Sequence, residues 1–380
     1  MTTSADLERP ADTRAMGIVH SAMRRDLRRA RSALSAWPYP FDEQRVAIAE
    51  HLLWIMRFLR HLHESEDEHL YPLVRDHDPA AARLLDRMNA DHRALVPAMD
   101  RLVDAAVAYR ATAEARADVL AALDELEAVL LPHLEREEHQ MMPVVSTAIT
   151  EGEWRHWTGE YNVKPLGPIE RFDEGLFIVD GASPDDTAAI GDMVSAVPRR
   201  LMLPVMIKRY RKAAFRRWRT AEFSPLRVPL GGRNEVFCAA PPDAVWAVLA
   251  DVTRVGEWSH ECRGADWLGD STRAEVGARF RGSNRSGLWR WRRVCTCTVA
   301  DKPRELVWVT DGAFGDNSEW RFRLRPTPDG TCIEQTFRVL SLPVWLDRVI
   351  YRFVPAHRDR SRALRGDLER LAQLVELESS

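Results

Sequence analysis

The sequence has no long apolar run, and its cysteines are few and unevenly placed. No stretch of eighteen apolar residues occurs, and residues 1–6 are polar and acidic. The sequence therefore predicts neither a membrane span nor a secretory signal. The five cysteines all lie between Cys238 and Cys332. An odd number of cysteines in a chain of this kind is typical of a reducing compartment, so we expect a cytoplasmic protein.

The chain also has almost no net charge. It carries 54 basic and 57 acidic residues, for a formal net charge of -3. Without an overall positive field, nucleic acid is not an expected partner. The length of 380 residues is sufficient for two domains. Most histidines precede residue 140, where no cysteine occurs, so the two halves differ in composition.

The first 150 residues predict four long helices. Apolar residues recur at spacings of three, four or seven from Met16, Leu52, Leu85 and Leu123. This is the period of a helix that faces a core. Short breaks separate the four stripes, as expected for antiparallel neighbours in a bundle. The fold class predicted for this half is an all-α four-helix bundle.

Each apolar stripe contains a histidine, and two stripes also contain a glutamate. The residues in question are His20, His63, Glu66, His92, His133 and Glu137. His133 and Glu137 are four residues apart and share a helix face. A single histidine on an apolar face is usually a core residue, but burying an unpaired carboxylate is unfavourable by several kcal/mol. The repetition on four stripes therefore favours a metal site at the bundle centre.

Two acidic segments of this half match each other without a gap. Residues 66–74 align with residues 137–145, and each segment has an acidic pair, apolar positions, a proline and two aliphatic residues. The match indicates equivalent half-sites on helices two and four. The proline, six residues after the glutamate, is expected to end or kink each helix.

The imidazole of helix two has two candidates. Leu62 stands four residues before Glu66, where the helix-four motif has histidine, and His61 and His63 flank it. His63 is favoured because a spacing of three keeps it on the face of Glu66. A shift of register by one residue would bring in His61 instead. His51 lies fifteen residues before Glu66, roughly 22 Å along a helix, and is too distant to share the site.

Residues 151–230 predict a linker with a basic helical segment. Residues 159–186 are rich in proline, glycine and aspartate and have no clear period, whereas residues 199–219 contain nine basic residues and no acid. A basic amphipathic helix can bind an anionic membrane surface. The favoured interpretation is a solvated basic face on a helix that packs on the bundle.

Residues 231–378 show strand periods and predict an α+β domain. Strands are predicted over residues 233–238, 278–281, 288–299, 305–310, 319–325 and 331–340. A helix is expected to begin near Pro242, and a long terminal helix after Pro343, with Pro355 inside it. In residues 320–325 apolar side chains alternate with arginines, so the two types face opposite ways. A curved sheet that wraps a helix follows from this order of elements.

Polar and aromatic candidates in the second half define no catalytic pattern by their spacing. The polar candidates are Glu257, His260, Glu261 and Arg281. Four tryptophans could line a cavity or fill a core: Trp258, Trp289, Trp291 and Trp308. Cys295 and Cys297 share a strand face and could form a thiol cluster with Cys332. The favoured interpretation is that these three cysteines are small apolar residues inside a sheet.

Over residues 12–150 the chain resembles the hemerythrin-like (HHE cation-binding) family of diiron four-helix bundles. The match rests on the histidines, on the acidic segment at Glu66 and on the pair His133 and Glu137. The region to about residue 220 resembles the tail that often follows such bundles in actinobacterial proteins.

The resemblance implies a specific ligand set. Two non-haem irons would be bridged by Glu66 and Glu137, with terminal imidazoles from His20, His63, His92 and His133. Manganese suits the same nitrogen and oxygen ligands, and the lack of thiolate argues against structural zinc. An open position on iron would accept dioxygen, peroxide or nitric oxide.

Residues 231–378 resemble the polyketide cyclase and START-like (SRPBCC) superfamily, whose helix-grip fold is also called START/Bet v 1-like. The resemblance rests on the element order, on residues 241–251, 255–259 and 276–282, and on the long terminal helix. These motifs specify a fold more than a function. The resemblance implies an apolar cavity that binds a lipid, a polyketide or another hydrophobic small molecule.

Together the two halves predict a non-haem diiron protein that binds or senses dioxygen, peroxide or nitric oxide, coupled to a hydrophobic-ligand module. The alternative is an enzyme: the bundle would act as an oxidoreductase or remove peroxide, or the second domain would perform a cyclase or dehydratase step. A third hypothesis is an iron store without chemistry. The sequence does not decide whether the protein is an enzyme.

Overall fold

Two different architectures follow one another along the chain. A computed structural model describes residues 7–191, 196–353 and 360–379, and the chain divides into unit 1, Met1–Arg219, and unit 2, Thr220–Ser380. Unit 1 is helical, and unit 2 contains a seven-stranded antiparallel sheet with helices. The predicted fold class of both halves is confirmed. None of the described helices is long and apolar enough to cross a membrane.

Four long helices form the bundle of unit 1. They are α1 (Arg14–Ser35), α2 (Asp42–Ser65), α4 (Ala82–Ala111) and α5 (Arg116–Arg136). Two of them continue through a π-helical turn into a short helix: α2 through Glu66–Leu70 into α3 (Tyr71–His77), and α5 through Glu137–Met141 into α6 (Met142–Ala148). Each long helix buries an apolar stripe, as its sequence period predicts.

The π-helical turns explain how the two prolines fit into helices. The N–H of Tyr71 donates to the carbonyl of Glu66, five residues back, and the N–H of Met142 donates to the carbonyl of Glu137 in the same way. Pro72 and Pro143 follow directly and have no N–H to donate. Because the wider turn already changes the hydrogen-bond pattern, the helical run continues past each proline instead of ending there.

The described residues between the bundle and Trp218 contain further helices, also within residues 159–186, which show no clear period in the sequence. They contain α7 (Glu151–Trp157), a π-helical turn (Thr158–Val163), α8 (Pro168–Val179), α9 (Pro184–Gly191) and α10 (Ala196–Trp218). The basic helix α10 buries Met206, Tyr210, Ala214 and Trp218 at four-residue spacing, and it packs against α2. Its apolar face is thus covered within unit 1.

Unit 2 contains the strands β1 (Gly231–Cys238), β2 (Cys262–Leu268), β3 (Arg279–Ser286), β4 (Trp289–Asp301), β5 (Glu305–Asp311), β6 (Asn317–Thr327) and β7 (Gly330–Ser341). The strand order in the sheet is β1-β7-β6-β5-β4-β3-β2. Strand β2 is absent from the sequence-based prediction. Buried and exposed residues alternate only weakly in β2, where Ala265 alone is fully buried.

Among the described residues, unit 2 also contains four α-helices. They are α11 (Pro242–Ala250), α12 (Val255–Trp258), α13 (Val344–Phe353) and α14 (Ser361–Ser379). Helix α14 contributes Leu368, Leu371 and Val375 to a core shared with Trp308 and Phe322. In place of the single long terminal helix that the sequence predicts, the structure has α13 and α14. Pro355 lies outside the described residues.

Candidate metal centre

All six side chains predicted for a metal site lie in the bundle interior. His20 is on α1, His63 on α2, His92 on α4 and His133 on α5, while Glu66 and Glu137 are the first residues of the two π-helical turns. None of the six is more than 6% exposed to solvent. The amphipathic period of each helix therefore directs these polar groups inward together with the apolar stripe.

The imidazoles and carboxylates approach one another closely. The candidate ligand atoms of His63, His92 and His133 all lie within 4.8 Å of one another. Glu137 Oε2 lies 3.3 Å from His20 Nε2 and 3.6 Å from His133 Nε2. On the other side, Glu66 Oε2 lies 3.6 Å from His92 Nε2. The structure thus gathers side chains from all four long helices around one point.

Many of these buried polar atoms have no hydrogen-bond partner. Among the described residues, the unpartnered atoms include both carboxylate oxygens of Glu66 and of Glu137 and the Nε2 atoms of His20, His63, His92 and His133. Buried polar groups in proteins are almost always satisfied, and an unpaired buried carboxylate is strongly unfavourable. A cation at this point would accept lone pairs from all of them, so the residues fit a metal site.

A second ring of carboxylates orients the imidazoles. Glu138 Oε1 lies 2.9 Å from His20 Nδ1, and Asp67 Oδ1 lies 2.7 Å from His92 Nδ1. Asp91 Oδ2 lies 3.8 Å from His133 Nδ1, which is too far for a hydrogen bond, so this imidazole has no such partner among the described residues. When a carboxylate accepts the Nδ1–H of an imidazole, Nε2 is left as the free lone pair that a metal needs.

Two of these carboxylates are themselves held by arginines. Arg24 donates to Glu138 at 2.7 Å, and Arg136 donates to Asp91. The sequence alone did not identify the roles of Glu138, Asp67 and Asp91. Asp67 and Glu138 are each the second acid of an acidic pair, and this repeated pair is the sequence feature that could have identified them. Asp91 directly precedes His92 and belongs to no repeated sequence pattern.

The pKa values of the two central carboxylates, Glu66 and Glu137, shift in opposite directions. Burial, followed by repulsion from Glu137, raises the pKa of Glu66 well above its ordinary value. Burial also acts to raise the pKa of Glu137, but the imidazole of His20 outweighs it and the pKa falls to about 2. Of the two carboxylates, Glu66 is therefore the one that holds a proton more readily.

The pKa values of the imidazoles also shift in different directions. Burial, followed by the neighbouring imidazole of His92, lowers the pKa of His63 well below its ordinary value. Burial lowers the pKa of His133 to about 4. For His20 burial also acts downward, but the carboxylates of Glu137 and Glu138 outweigh it and raise the pKa. His63 and His133 are therefore neutral near pH 7, the form that binds metals.

Tyr71 belongs to this centre although no sequence pattern marked it. Its side chain is buried, its hydroxyl has no hydrogen-bond partner among the described residues, and its ring lies 5.7 Å from that of His92. Burial, followed by the charges of Glu137 and Glu66, raises the pKa of this phenol well above its ordinary value. The phenol is therefore a neutral hydrogen-bond donor next to the carboxylates.

The structure separates His63 from the two other histidines of α2 by position. His63 is in the cluster, whereas His61, two residues earlier and about 200° around the helix, is only half-buried. His51 pairs with Asp26 at 2.7 Å, and its ring stacks on Trp54 at 5.6 Å. His51 thus has its own buried hydrogen-bond partner and lies outside the cluster, as its distance along the helix suggests.

Three of the four polar candidates of unit 2 have partners, and each partner is different. Glu257 pairs with Arg254 at 2.9 Å, His260 Nδ1 with Asp367 at 2.7 Å, and Glu261 with Arg360 at 3.3 Å, while Arg281 lies on β3. Two of the four tryptophans, Trp258 and Trp308, are in the core, and Trp289 is exposed.

The cysteines of unit 2 are free thiols. Cys295 and Cys297 are buried in the core, and Cys332 is half-buried. Burial raises the pKa of Cys297 to about 11. Because a thiol rather than a thiolate is present at neutral pH, these cysteines behave as small apolar residues.

Comparison with protein families identifies both halves of the chain. Residues 12–146 match the hemerythrin HHE cation binding domain, and residues 233–376 match the polyketide cyclase / dehydrase and lipid transport family. The chain therefore joins a hemerythrin-like, cation-binding domain to a polyketide-cyclase-like domain with the helix-grip fold. Among curated proteins, no match is found.

Several solved structures are similar to part of the chain. A Polyketide_cyc-like protein from Corynebacterium glutamicum is 24% identical; the match covers 40% of this chain and 94% of that chain, with a TM-score of 0.30. A protein from Mesorhizobium loti is 22% identical, with 39% and 97% covered and a TM-score of 0.30. A protein from Thermus thermophilus is 18% identical, with 40% and 99% covered and a TM-score of 0.32.

Proposed function

We propose that unit 1 is a non-haem diiron protein that binds or senses dioxygen, peroxide or nitric oxide. The two irons would be held by His20, His63, His92 and His133, with Glu66 and Glu137 as bridges. Manganese is the alternative metal for this set of nitrogen and oxygen ligands. A diiron centre supplies an open coordination position and reversible one- and two-electron chemistry.

One observation carries this proposal: the Glu66 and Glu137 oxygens and the imidazole Nε2 atoms at the bundle centre have no hydrogen-bond partners among the described residues. Both oxygens of Glu66 and of Glu137 are unpartnered among the described residues. Structural histidines and acids in a core would be expected to satisfy one another, as His51 and Asp26 do at 2.7 Å. The contrast between the paired His51 and Asp26 and the unpartnered oxygens of Glu66 and Glu137 supports ligation of a cation at the bundle centre.

The surrounding side chains have defined tasks in this proposal. Asp67 and Glu138 hold the Nδ1 protons of His92 and His20, so that both rings present Nε2 to the metal. Tyr71 offers a neutral hydroxyl that donates a hydrogen bond to a small molecule bound at the centre. The apolar residues of the four stripes exclude water from the site.

For unit 2 we propose binding of a hydrophobic small molecule or lipid. The helix-grip fold and the match to a lipid transport family support this ligand class. The different partners of Glu257, His260 and Glu261 give no support to a cyclase or dehydratase step in this unit. Because all five cysteines are free, we also propose a reducing, cytoplasmic location.

Absorption spectroscopy of the reconstituted protein tests the proposal for unit 1. Protein loaded anaerobically with ferrous iron is exposed separately to dioxygen, nitric oxide and peroxide. A carrier or sensor is expected to give a stable absorption band that reverses when the gas is removed. Rapid loss of excess peroxide at low protein concentration would instead identify the enzyme alternative. Loaded protein that responds to none of the three would contradict the proposal and favour an iron store.

A further inference from the structure

We propose that one end of the sheet in unit 2 is a docking surface for an anionic lipid bilayer. Four large apolar side chains are exposed there, which we call the apolar tip: Leu288 is 96% exposed, Trp289 55%, Phe314 62% and Trp345 55%. A single exposed apolar residue is ordinary, but several at one end of a domain indicate an interaction surface.

The turn between β3 and β4 projects the first part of the apolar tip. Ser286 pairs with Trp289, so Gly287 and Leu288 form a two-residue hairpin turn. Gly287 has a φ of 58°, and a positive φ is what such a turn requires at its first position. Leu288 therefore stands at the apex of the hairpin, where no neighbouring strand can cover it.

Strand register brings Phe314 and Trp345 to the same end of the sheet. Val294 of β4 pairs with Asp311, the last residue of β5. The β3–β4 hairpin and the β5–β6 loop therefore lie at one end, with the hairpin extending further. Phe314 of this loop contacts Trp345 of α13, with the ring centroids 5.6 Å apart.

Arginines accompany the apolar tip. Arg285 and Arg290 are direct cross-strand partners beside the turn, and both are exposed, as is Arg292. Like charges directly opposite each other destabilise a strand pair. Within the part of the chain that the structure describes, no carboxylate forms an ion pair with these three arginines. An external anion would relieve their repulsion.

This combination of groups fits a bilayer better than a polyanion. Tryptophan prefers the membrane interface, and arginines are attracted to anionic headgroups. An aliphatic apex such as Leu288 has no partner on a nucleic acid but is favourable in the hydrocarbon boundary. The docking surface rests on the proposed function of unit 2 in one respect: a bilayer is a source of the hydrophobic ligand. It does not require iron in unit 1.

Vesicle co-sedimentation of the full chain tests the docking surface. Phosphatidylcholine vesicles with and without about one-third phosphatidylserine are compared at low and at physiological salt. We expect binding to the anionic vesicles that weakens as salt is raised, because exposed charges are screened. Absence of binding at low salt would contradict the proposal.

Two variants divide the surface into its apolar and charged parts. The tip variant Leu288→Ser with Trp289→Ser, and the charge variant Arg290→Ser with Arg292→Ser, are each expected to weaken vesicle binding about tenfold or more. Matched controls lie at the opposite end of the sheet. They are Val276→Ser, at an apolar residue that is 71% exposed, and Lys302→Ser with Arg304→Ser in the β4–β5 turn, and both should bind as the wild type does.

Other outcomes would overturn the assignment. Full binding by the tip variant would mean that another element, such as α10, contacts the membrane. Self-association without lipid that disappears in the tip variant would identify a second copy of the chain as the partner. All these substitutions are at exposed positions, and unchanged far-ultraviolet circular dichroism would verify that each variant is folded.

Discussion

The two halves of the candidate metal centre have the same backbone, but the pKa values of their central carboxylates shift in opposite directions. Glu66 and Glu137 each begin a π-helical turn, and the next residue of each segment, Asp67 or Glu138, binds an imidazole from another helix. The pKa of Glu66 is nevertheless raised, whereas that of Glu137 falls to about 2.

The difference comes from the helices that face each half. Glu137 lies 3.3 Å from His20, an imidazole whose pKa is raised by Glu137 and Glu138. Glu66 faces His92 at 3.6 Å and is also repelled by Glu137. A repeated motif can thus fix the local backbone and the pattern of contacts, while opposing helices set the protonation.

The largest expected effect comes from removing either carboxylate. Glu137→Gln and Glu66→Gln should each reduce bound iron from two per chain to one or none, because a neutral amide is a poor bridge between cations. In the metal-free protein the two should differ. Glu66→Gln imitates the protonated carboxyl and should leave the melting temperature unchanged, whereas Glu137→Gln should lower it because His20 loses its partner.

Metal analysis after anaerobic reconstitution and calorimetry of the metal-free protein measure these effects. Two irons per chain in both variants would refute the bridging role. Equal melting temperatures of the two metal-free variants would refute the difference between the halves.

The next effect concerns the imidazole of helix two. His63→Ala should remove at least one iron per chain, because His63 lies in the cluster with His92 and His133. The matched variant His61→Ala changes the same residue type two positions away and should retain both irons. Iron counted by elemental analysis decides between them, and the reverse pattern would place His61 in the site.

A smaller effect is expected from the orienting carboxylates. Asp67→Asn and Glu138→Gln should each weaken iron affinity by about 10–100-fold, because the imidazoles of His92 and His20 lose their fixed orientation. Glu68→Gln, in the same acidic segment but 71% exposed at its side chain, is the control. Competition with a chelator measures the affinities, and equal affinities in all three variants would show that the second ring of carboxylates is not needed.

Proton release on metal binding sharpens the comparison further. The raised pKa values of Glu66 and His20 favour the protonated form of both groups, whereas His133, with a pKa of about 4, is already neutral at pH 6. Metal binding should therefore release about two protons per chain in weakly buffered solution. Glu66→Gln should release about one fewer, and an unchanged release would place the proton elsewhere.

The smallest effect is expected at a buried position where the two segments differ in chemistry. Tyr71 occupies the place that Met142 has in the other half. Tyr71→Phe should keep the iron content and raise the free energy of unfolding of the metal-free protein by ~1 kcal/mol, because a buried hydroxyl without a partner is removed. Faster release of a bound gas from Tyr71→Phe than from the control variant Met142→Leu would assign the phenol to ligand binding. Loss of iron from Tyr71→Phe would contradict this account.

Sequence periodicity predicted much of the fold and the main contents of the centre. The four stripes placed six buried polar residues correctly in the interior, because helical period and the unfavourable burial of carboxylates are local properties. The match of residues 66–74 to 137–145 likewise predicted two equivalent segments, which share a π-helical turn.

Other features depended on contacts that no local pattern encodes. Tyr71 and Asp91 join the centre only because the helices pack in a particular rotation. Strand β2 alternates too weakly to be recognised. The exposed apex at Leu288 results from strand register, since Leu288 reads as part of a strand until its turn with Gly287 is known.

Anaerobic titration of the metal-free chain with ferrous iron tests the central claim most directly. If Glu66 and Glu137 join two half-sites into one centre, the titration should reach an end point at two irons per chain, and His63→Ala should reach at most one. A wild-type chain that takes up no ferrous iron, or only one ion per chain, would contradict the account of paired half-sites.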